Sequence, residues 1–306
     1  MGGRLALAAV GLIVLAGTAP AQVLFSDGFE TYAGGRQPLD SNTAGPNAGP
    51  NGGPGNPWFG PAPPNLRVVG AGGGLSSGAA GPNSGSQMVT ASAAGDFDQD
   101  WYNLAHRLNN GSNYTGNVAL KWAFYDTNGS GDTNYRDYAA LGNYGDASTA
   151  AASGLDYPTA GGGALGGGVP QRLSLGASNP TGFDPTKYQA RVVGATDGPA
   201  GSGGSAGQWF NVGTRSVGWH SGEILLGPDL GANTLVSFFI DNVDVLDHAI
   251  SSTGGVNVIE LNDGFGTTGA NYDDVNFSVS GVPEPSSLLL TAGGLLVVWR
   301  RRTKSA

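Results

Sequence analysis

The chain of 306 residues contains no cysteine, so disulfides and thiol nucleophiles are both excluded. The fold must be held by core burial, with metal as the only other available staple. Histidine is nearly as scarce: His106, His220 and His248 are scattered and form no metal-ligand spacing. His220 stands beside Trp219 in an apolar setting and reads as a core histidine. Sustained helical periodicity is missing too, because 55 Gly and 18 Pro punctuate the sequence. Basic residues are few. Between Gln22 and Pro285 there are nine, against all 23 acids, a net charge of −14. Such a surface repels phosphate backbones, so nucleic acid is excluded as a partner.

What is present is most specific at the C-terminus. Val282-Pro283-Glu284-Pro285 cannot extend a helix and stays extended. An uncharged run of 14 residues, Ser286 to Trp299, follows, and Arg300, Arg301 and Arg302 close it. The run can enter lipid, and the arginines stop transfer on the cytoplasmic side. This order resembles the PEP-CTERM sorting tail, with Pro283, Glu284 and Pro285 matching its signature triplet and Arg300 to Arg302 its basic end. The resemblance implies handling by an exosortase-type membrane transpeptidase, with membrane lipids contacted through the tail. As a helix the run spans about 21 Å against about 30 Å of hydrocarbon, which leaves open whether it is cut or retained. At the other end, Arg4, an apolar stretch to Gly17 and Ala19-Pro20-Ala21 have the layout of a secretory signal peptide, with Gln22 as first mature residue. The expected organisation is a signal peptide (1–21), an ectodomain (22–281) and a sorting tail with a transmembrane helix (282–306). The ectodomain would then work at the cell surface or in the extracellular matrix.

Within the ectodomain, short alternating runs bounded by Gly, Asn and Asp predict an all-β fold. Strands are expected at Val23–Phe29, Leu66–Val69, Gln87–Ala91, Val118–Tyr125 and Tyr188–Val193. A denser series follows: Trp209–Val212, Val217–His220, Glu223–Leu226, Leu235–Ile240, Val243–Leu246, Val256–Leu261 and Asp274–Val279. Ten or more strands fit a single β-sandwich of jelly-roll type, with Ser41 to Pro64 as a long surface loop. Gly218-Trp219-His220 and the stretch Leu235 to Val243 resemble late strands of concanavalin A-like lectin and laminin-G-like sandwiches. There a Trp-His pair opens one strand and an aromatic-rich strand ends in an acidic turn.

Three acidic groups draw attention. Asp27 and Glu30 near the start, with Asp273 and Asp274 near the end, would converge if the first and last strands pair. Four carboxylates then repel unless a cation neutralises them, and hard oxygen ligands select calcium; the alternative is that the acids simply face water. The run Asp126 to Asp137 places oxygen side chains at alternate positions through Asp126, Asn128, Ser130, Asp132 and Asn134, with Gly131 sixth and Asp137 twelfth. It resembles a single dockerin repeat, with Tyr138, Leu141 and Tyr144 where the helix would follow. It departs from that pattern in lacking a second repeat and in ending on Asp, and a plain polar hairpin loop is the competing reading. Asp96 to Tyr102 alternates acids with aromatics and fits either a strand or a ligand-facing loop.

For function, three classes are compared. An enzyme of the laminarinase type needs Glu-x-Asp-x-x-Glu, and none of Glu30, Glu223, Glu260 or Glu284 has an Asp two residues on. The Gly-rich runs lack the lysine of a phosphate loop. The chain is therefore expected to be no enzyme and to need no cofactor beyond a structural calcium ion. A carbohydrate-binding module for extracellular polysaccharide would stack sugar rings on Trp58, Phe59, Trp101 and Tyr102, which stand in loop-like contexts. A non-catalytic structural or interaction protein of the cell surface is the leading expectation, with the binding module as its alternative.

Overall fold

The structure, a computed structural model, describes residues 21–32, 37–39, 58–59, 66–70, 81–91, 97–129, 136–152, 171–178, 183–194, 208–229, 233–251, 254–264 and 270–280. Residues 281–306, with Pro283, Glu284, Pro285 and Arg300 to Arg302, lie outside them, as do residues 1–20, Ser130 and Asp132. Among the described residues no helix is long and apolar enough to cross a membrane.

Gln22–Ser280 is a compact unit of two antiparallel sheets. In chain order the strands are β1 (Gln22–Asp27), β2 (Gln37–Pro38), β3 (Trp58–Phe59), β4 (Arg67–Gly70), β5 (Gln87–Thr90) and β6 (Phe97–Asn103). Then come helix α1 (Leu104–Leu108), β7 (Asn117–Asp126), β8 (Arg136–Asn143) and helix α2 (Gly145–Ala152). The remainder is β9 (Gln171–Ser178), β10 (Lys187–Gly194), β11 (Gln208–Thr214), β12 (Gly218–Asp229), β13 (Asn233–Ile240), β14 (Val243–Ser251), β15 (Val258–Gly264) and β16 (Asn271–Ser280). The larger sheet runs β14-β13-β12-β7-β16-β5-β4-β2, with β1 also on β16, and the smaller runs β11-β10-β9-β8-β15-β6-β3. This is an all-β sandwich that fits the jelly-roll, concanavalin A-like class. First and last strands do pair: Phe25 faces Phe277 and Asp27 faces Val275.

Alternation explains the packing. Along β7, Val118, Leu120, Trp122 and Phe124 enter the core, while Lys121 faces water. They meet Ala139, Leu141, Leu173, Leu175, Tyr188, Ile259 and Leu261 from the smaller sheet in one continuous cluster. Gly222, opposite Trp122, has to be glycine: a Cβ there would stand 2.4 Å from the indole. The β13–β14 hairpin turns on Asp241 and Asn242, at φ 52° and 63°, the left-handed pair that a two-residue turn requires. In β16 the register slips between Asp273 and Asn276, and Asp274 takes up the bulge at φ 50°.

Several expectations need correction. The two strands expected at 217–226 are the single β12, 12 residues long. Trp58 and Phe59 are not in a surface loop; they form β3 against β6. Tyr138 and Leu141, placed on a dockerin-like helix, lie in β8. Both faces of β8 are covered, so Tyr138, Ala139, Ala140 and Leu141 are all buried and no two-residue alternation survives in its sequence. Asp96 to Tyr102 resolves as a strand from Phe97 onward, with Asp100 buried and accepting the Leu66 N–H at 2.9 Å.

Candidate functional site

One end of the sandwich collects polar chemistry. Here β7 and β15 end, and β8, β10, β12 and β16 begin. Asp126 closes β7, and Arg215 leaves β11 directly toward it. The guanidinium is bidentate, with Nε 2.8 Å from Oδ2 and Nη2 2.8 Å from Oδ1, and the two side chains are 2% and 1% exposed. Asn128 and Gly129 also donate backbone N–H groups to Oδ1, at 3.0 and 2.9 Å. Burial alone would raise the Asp126 pKa, but the hydrogen bonds and charge of Arg215 outweigh it and hold the carboxyl below its usual range. The cation beside Asp126, the first position of the calcium-like loop, is thus supplied by the protein.

Asp137, the twelfth position of that loop, lies across β8 from Asp263 on β15. Burial first, and the charge of Asp263 second, push Asp137 well above the carboxylate norm. Asp263 is also anchored by the Ala270 N–H at 2.9 Å. Asp126, Thr127, Asp137, Arg215, Asn271 and Tyr272 line a pocket with room for about one water molecule.

Beside Arg215 the chain presents Ser216 and Val217 before β12 begins at Gly218. His220 turns back toward them. Its Nε2 is 2.8 Å from the Ser216 carbonyl oxygen and 3.3 Å from Ser216 Oγ. Its Nδ1 is 2.7 Å from Asp241 Oδ2, and the other Asp241 oxygen accepts the Ser221 N–H at 2.9 Å. Phe124 and Tyr188 hold the ring, each with its centroid 5.7 Å away. Two sequence features, the Trp-His pair and the acidic turn, therefore meet through one hydrogen bond. On the outward face of the larger sheet, Tyr125 and Trp219 are cross-strand neighbours in edge contact at 5.5 Å. Both are half-buried over Val69 and Met88, and the Trp219 indole N–H donates to the Gly81 carbonyl at 3.0 Å.

The acids at the two ends of the ectodomain do not form one cluster of open carboxylates. Asp27 is buried and accepts from Phe29 N (2.8 Å), Tyr32 Oη (2.7 Å) and Trp58 Nε1 (2.8 Å). Burial still raises its pKa. Glu30 accepts from Ser86 N and Oγ and from Gln87 N. Asp273 accepts from the N–H groups of Asn83 and Ser84, and Asp274 from their side chains. Together Glu30, Asp273 and Asp274 pin the 81–87 segment. Among the described residues no three His, Cys, Asp or Glu side chains stand close enough to hold a metal ion.

The four candidate stacking aromatics are corrected outright. Trp58, Phe59, Trp101 and Tyr102 are 0%, 3%, 2% and 4% exposed, and a ring without a free face cannot stack on a sugar. They pin β3 to β6 instead. A further buried group centres on Glu260, on the outer side of the smaller sheet. Arg172 pairs with it, and Tyr144 Oη donates to it at 2.8 Å. Asn257 ties this region to α2 by bonding both the N–H and the carbonyl of Tyr144. Arg215, Ser216, Asp241, Asp263, Arg172 and Glu260 were not singled out from the sequence. For Arg215, Asp263, Arg172 and Glu260 no local spacing marks the pairing, because each partner lies far along the chain.

No protein-family model matches this chain, and no curated protein matches it in sequence. Among solved structures, it is similar to a carbohydrate esterase from the Shiga toxin-encoding bacteriophage phi24B, at 11% identity and TM-score 0.46, covering 85% of this chain and 99% of that one. It is also similar to the carbohydrate recognition domain of Emp47p (12% identity, TM-score 0.40) and to an endo-β-1,4-glucuronan lyase from the fungus Trichoderma reesei (12%, 0.40), each alignment covering 72% of this chain and 90% of the other. At these levels the likeness is one of sandwich architecture. It overturns one expectation: with an esterase and a lyase among the similar structures, the absence of a laminarinase motif gives no ground for excluding an enzyme.

Proposed function

We propose that this is an exported, surface-retained protein whose sandwich binds extracellular polysaccharide through the polar end and the neighbouring outward face of β7 and β12. The observation that carries the reading is the Tyr125–Trp219 pair. Its rings are half-buried, in mutual edge contact, and the indole is fixed by Gly81. An aromatic held in place before binding loses little entropy when a sugar ring packs on it. Hydrogen-bonding groups continue along the same face, with Lys121 and Glu223 paired at 3.0 Å four residues farther along β7 and β12, and the exposed Ser216 just before β12. Sedimentation with purified extracellular polysaccharide tests this. Trp219→Ala is expected to weaken binding roughly tenfold, about 1.4 kcal/mol, without unfolding the sandwich. Binding unchanged by the substitution overturns the assignment.

Export and sorting rest on the sequence of the two ends. The signal-like segment 1–21 sends the chain across the membrane, and the Pro283-Glu284-Pro285 tail, with its apolar run and arginines, presents it to an exosortase-type transpeptidase and to membrane lipid. The net charge of −14 on the intervening segment disfavours nucleic acid and keeps the surface solvated. Mass spectrometry of the mature protein is the test: a new N-terminus at Gln22 and loss or retention of the tail in a membrane fraction. An intact chain recovered from cytosol rejects it. A structural calcium ion, at the Asp27, Glu30, Asp273 and Asp274 corner or in the 126–137 loop, stays a proposal that rests on the acidic surface alone, since the described carboxylates already have hydrogen-bond or guanidinium partners.

A further inference from the structure

We propose that Ser216, His220 and Asp241 form a nucleophile, a general base and its positioning residue for the cleavage of carboxylic esters on carbohydrate. Only the substrate class rests on the polysaccharide reading above; the chemistry rests on geometry. Ser216 is exposed, and its Oγ lies 3.3 Å from His220 Nε2. That is the slightly long contact common in a site without substrate. With the Nδ1 proton donated to Asp241 Oδ2 at 2.7 Å, Nε2 becomes the base; the Ser216 carbonyl oxygen, at 2.8 Å, lies nearer to it than Oγ does, so a small turn of the ring or of Ser216 has to bring Oγ into line. Asp241 itself is held by the tight β13–β14 turn and by the Ser221 N–H at 2.9 Å. Approach to Oγ is open: Val217 is 60% exposed, and Gly218, at φ 139°, has nothing within 4 Å of where a Cβ would stand.

The step balances. Ser216 Oγ forms a bond to the ester carbonyl carbon while its proton passes to His220 Nε2. The bond from that carbon to the sugar oxygen then breaks, and Nε2–H protonates the departing oxygen. Water then gives one proton to the same nitrogen and bonds to the acyl carbon; the bond from that carbon to Ser216 Oγ breaks, Nε2–H returns the proton to Oγ, and the carboxylic acid leaves. The Ser216 carbonyl, 2.8 Å from Nε2, accepts the N–H that exists while the ring is cationic and so stabilises that state. A body with net charge −14 repels anionic esters, which favours neutral O-acyl groups such as acetyl.

A fluorophosphonate probe and p-nitrophenyl acetate test the inference on the full chain. The expected result is covalent labelling of Ser216, located by peptide mass spectrometry. Ser216→Ala should lose the label and at least a hundredfold in kcat/KM with an unchanged melting temperature. His220→Gln should lose activity likewise, and Asp241→Asn should lower kcat and alter the pH–rate profile, which a merely structural turn residue would not do. An unlabelled wild type, or Ser216→Ala as fast as wild type, overturns the proposal and assigns His220 to fastening the β12–β13 corner. Hydrolysis without any polysaccharide binding would keep the esterase and reject the carbohydrate reading; binding without labelling would do the reverse.

Discussion

Replacing Arg215 with methionine isolates the strongest electrostatic feature of the polar end. The substitution keeps the aliphatic stem and removes two 2.8 Å bonds to Asp126, whose side chain is 1% exposed. A carboxylate left buried without its counter-charge typically costs about 3–5 kcal/mol. For a unit of this size that corresponds to a fall in melting temperature of roughly 6–20 °C. Asn128 and Gly129 still donate to Asp126, which favours the lower part of the range. The loss should depend on pH with a definite sign. In the wild type the Asp126 pKa is held down, so its contribution is full at neutral pH and is lost as pH falls through the folded-state value. In Arg215→Met the carboxyl can take a proton, so the deficit measured by urea unfolding at pH 7 should shrink toward pH 4. Adding Asp126→Asn should recover part of the stability, because an amide tolerates the site better than an unpaired charge. A cost below about 1 kcal/mol, or a double variant as unstable as the sum of the singles, refutes the reasoning.

Three further outcomes are expected. Burial raises the Asp273 pKa to about 6, from 3.8, so the unfolded chain releases this proton first. Wild-type stability should therefore lose on the order of 2 kcal/mol as pH rises between these values, and Asp273→Asn should flatten that slope in paired unfolding titrations. Trp58→Phe removes the indole bond to Asp27 at 2.8 Å and is expected to cost about 1–3 kcal/mol by denaturant unfolding, while polysaccharide binding by the folded variant stays intact. Chelation tests the proposed calcium: a bound ion stabilises the fold by mass action, so EDTA should lower the melting temperature, and superimposable curves would remove the ion from both acidic groups.

Much of the sandwich was legible residue by residue. Val118 to Tyr125 sets large apolar side chains at every second position, and β7 is found there; the Asp241-Asn242 turn is where β13 gives way to β14. Strands β8 and β9 were missed because both their faces are covered and small residues such as Ala139, Ala140 and Gly176 carry no alternation. Trp58 and Trp101 misled for the opposite reason. Their glycine-rich and acidic surroundings look solvated, yet the rings seal the junction of β3 and β6. Asp126 and Asp137 were read as the two ends of one calcium-like loop, but the groups that act on their carboxyls, Arg215 and Asp263, sit far along the chain.

Composition and pattern alone determine that this is a strongly acidic β-protein without disulfides, since charge count, cysteine count and a two-residue period are local properties. Which side chains share a site is a property of strand order. Ser216 meets His220 locally, four residues away at the start of β12, but Asp241 reaches the same ring only because β13 pairs beside β12. That adjacency is set by the packing of two whole sheets, and no window of sequence contains it.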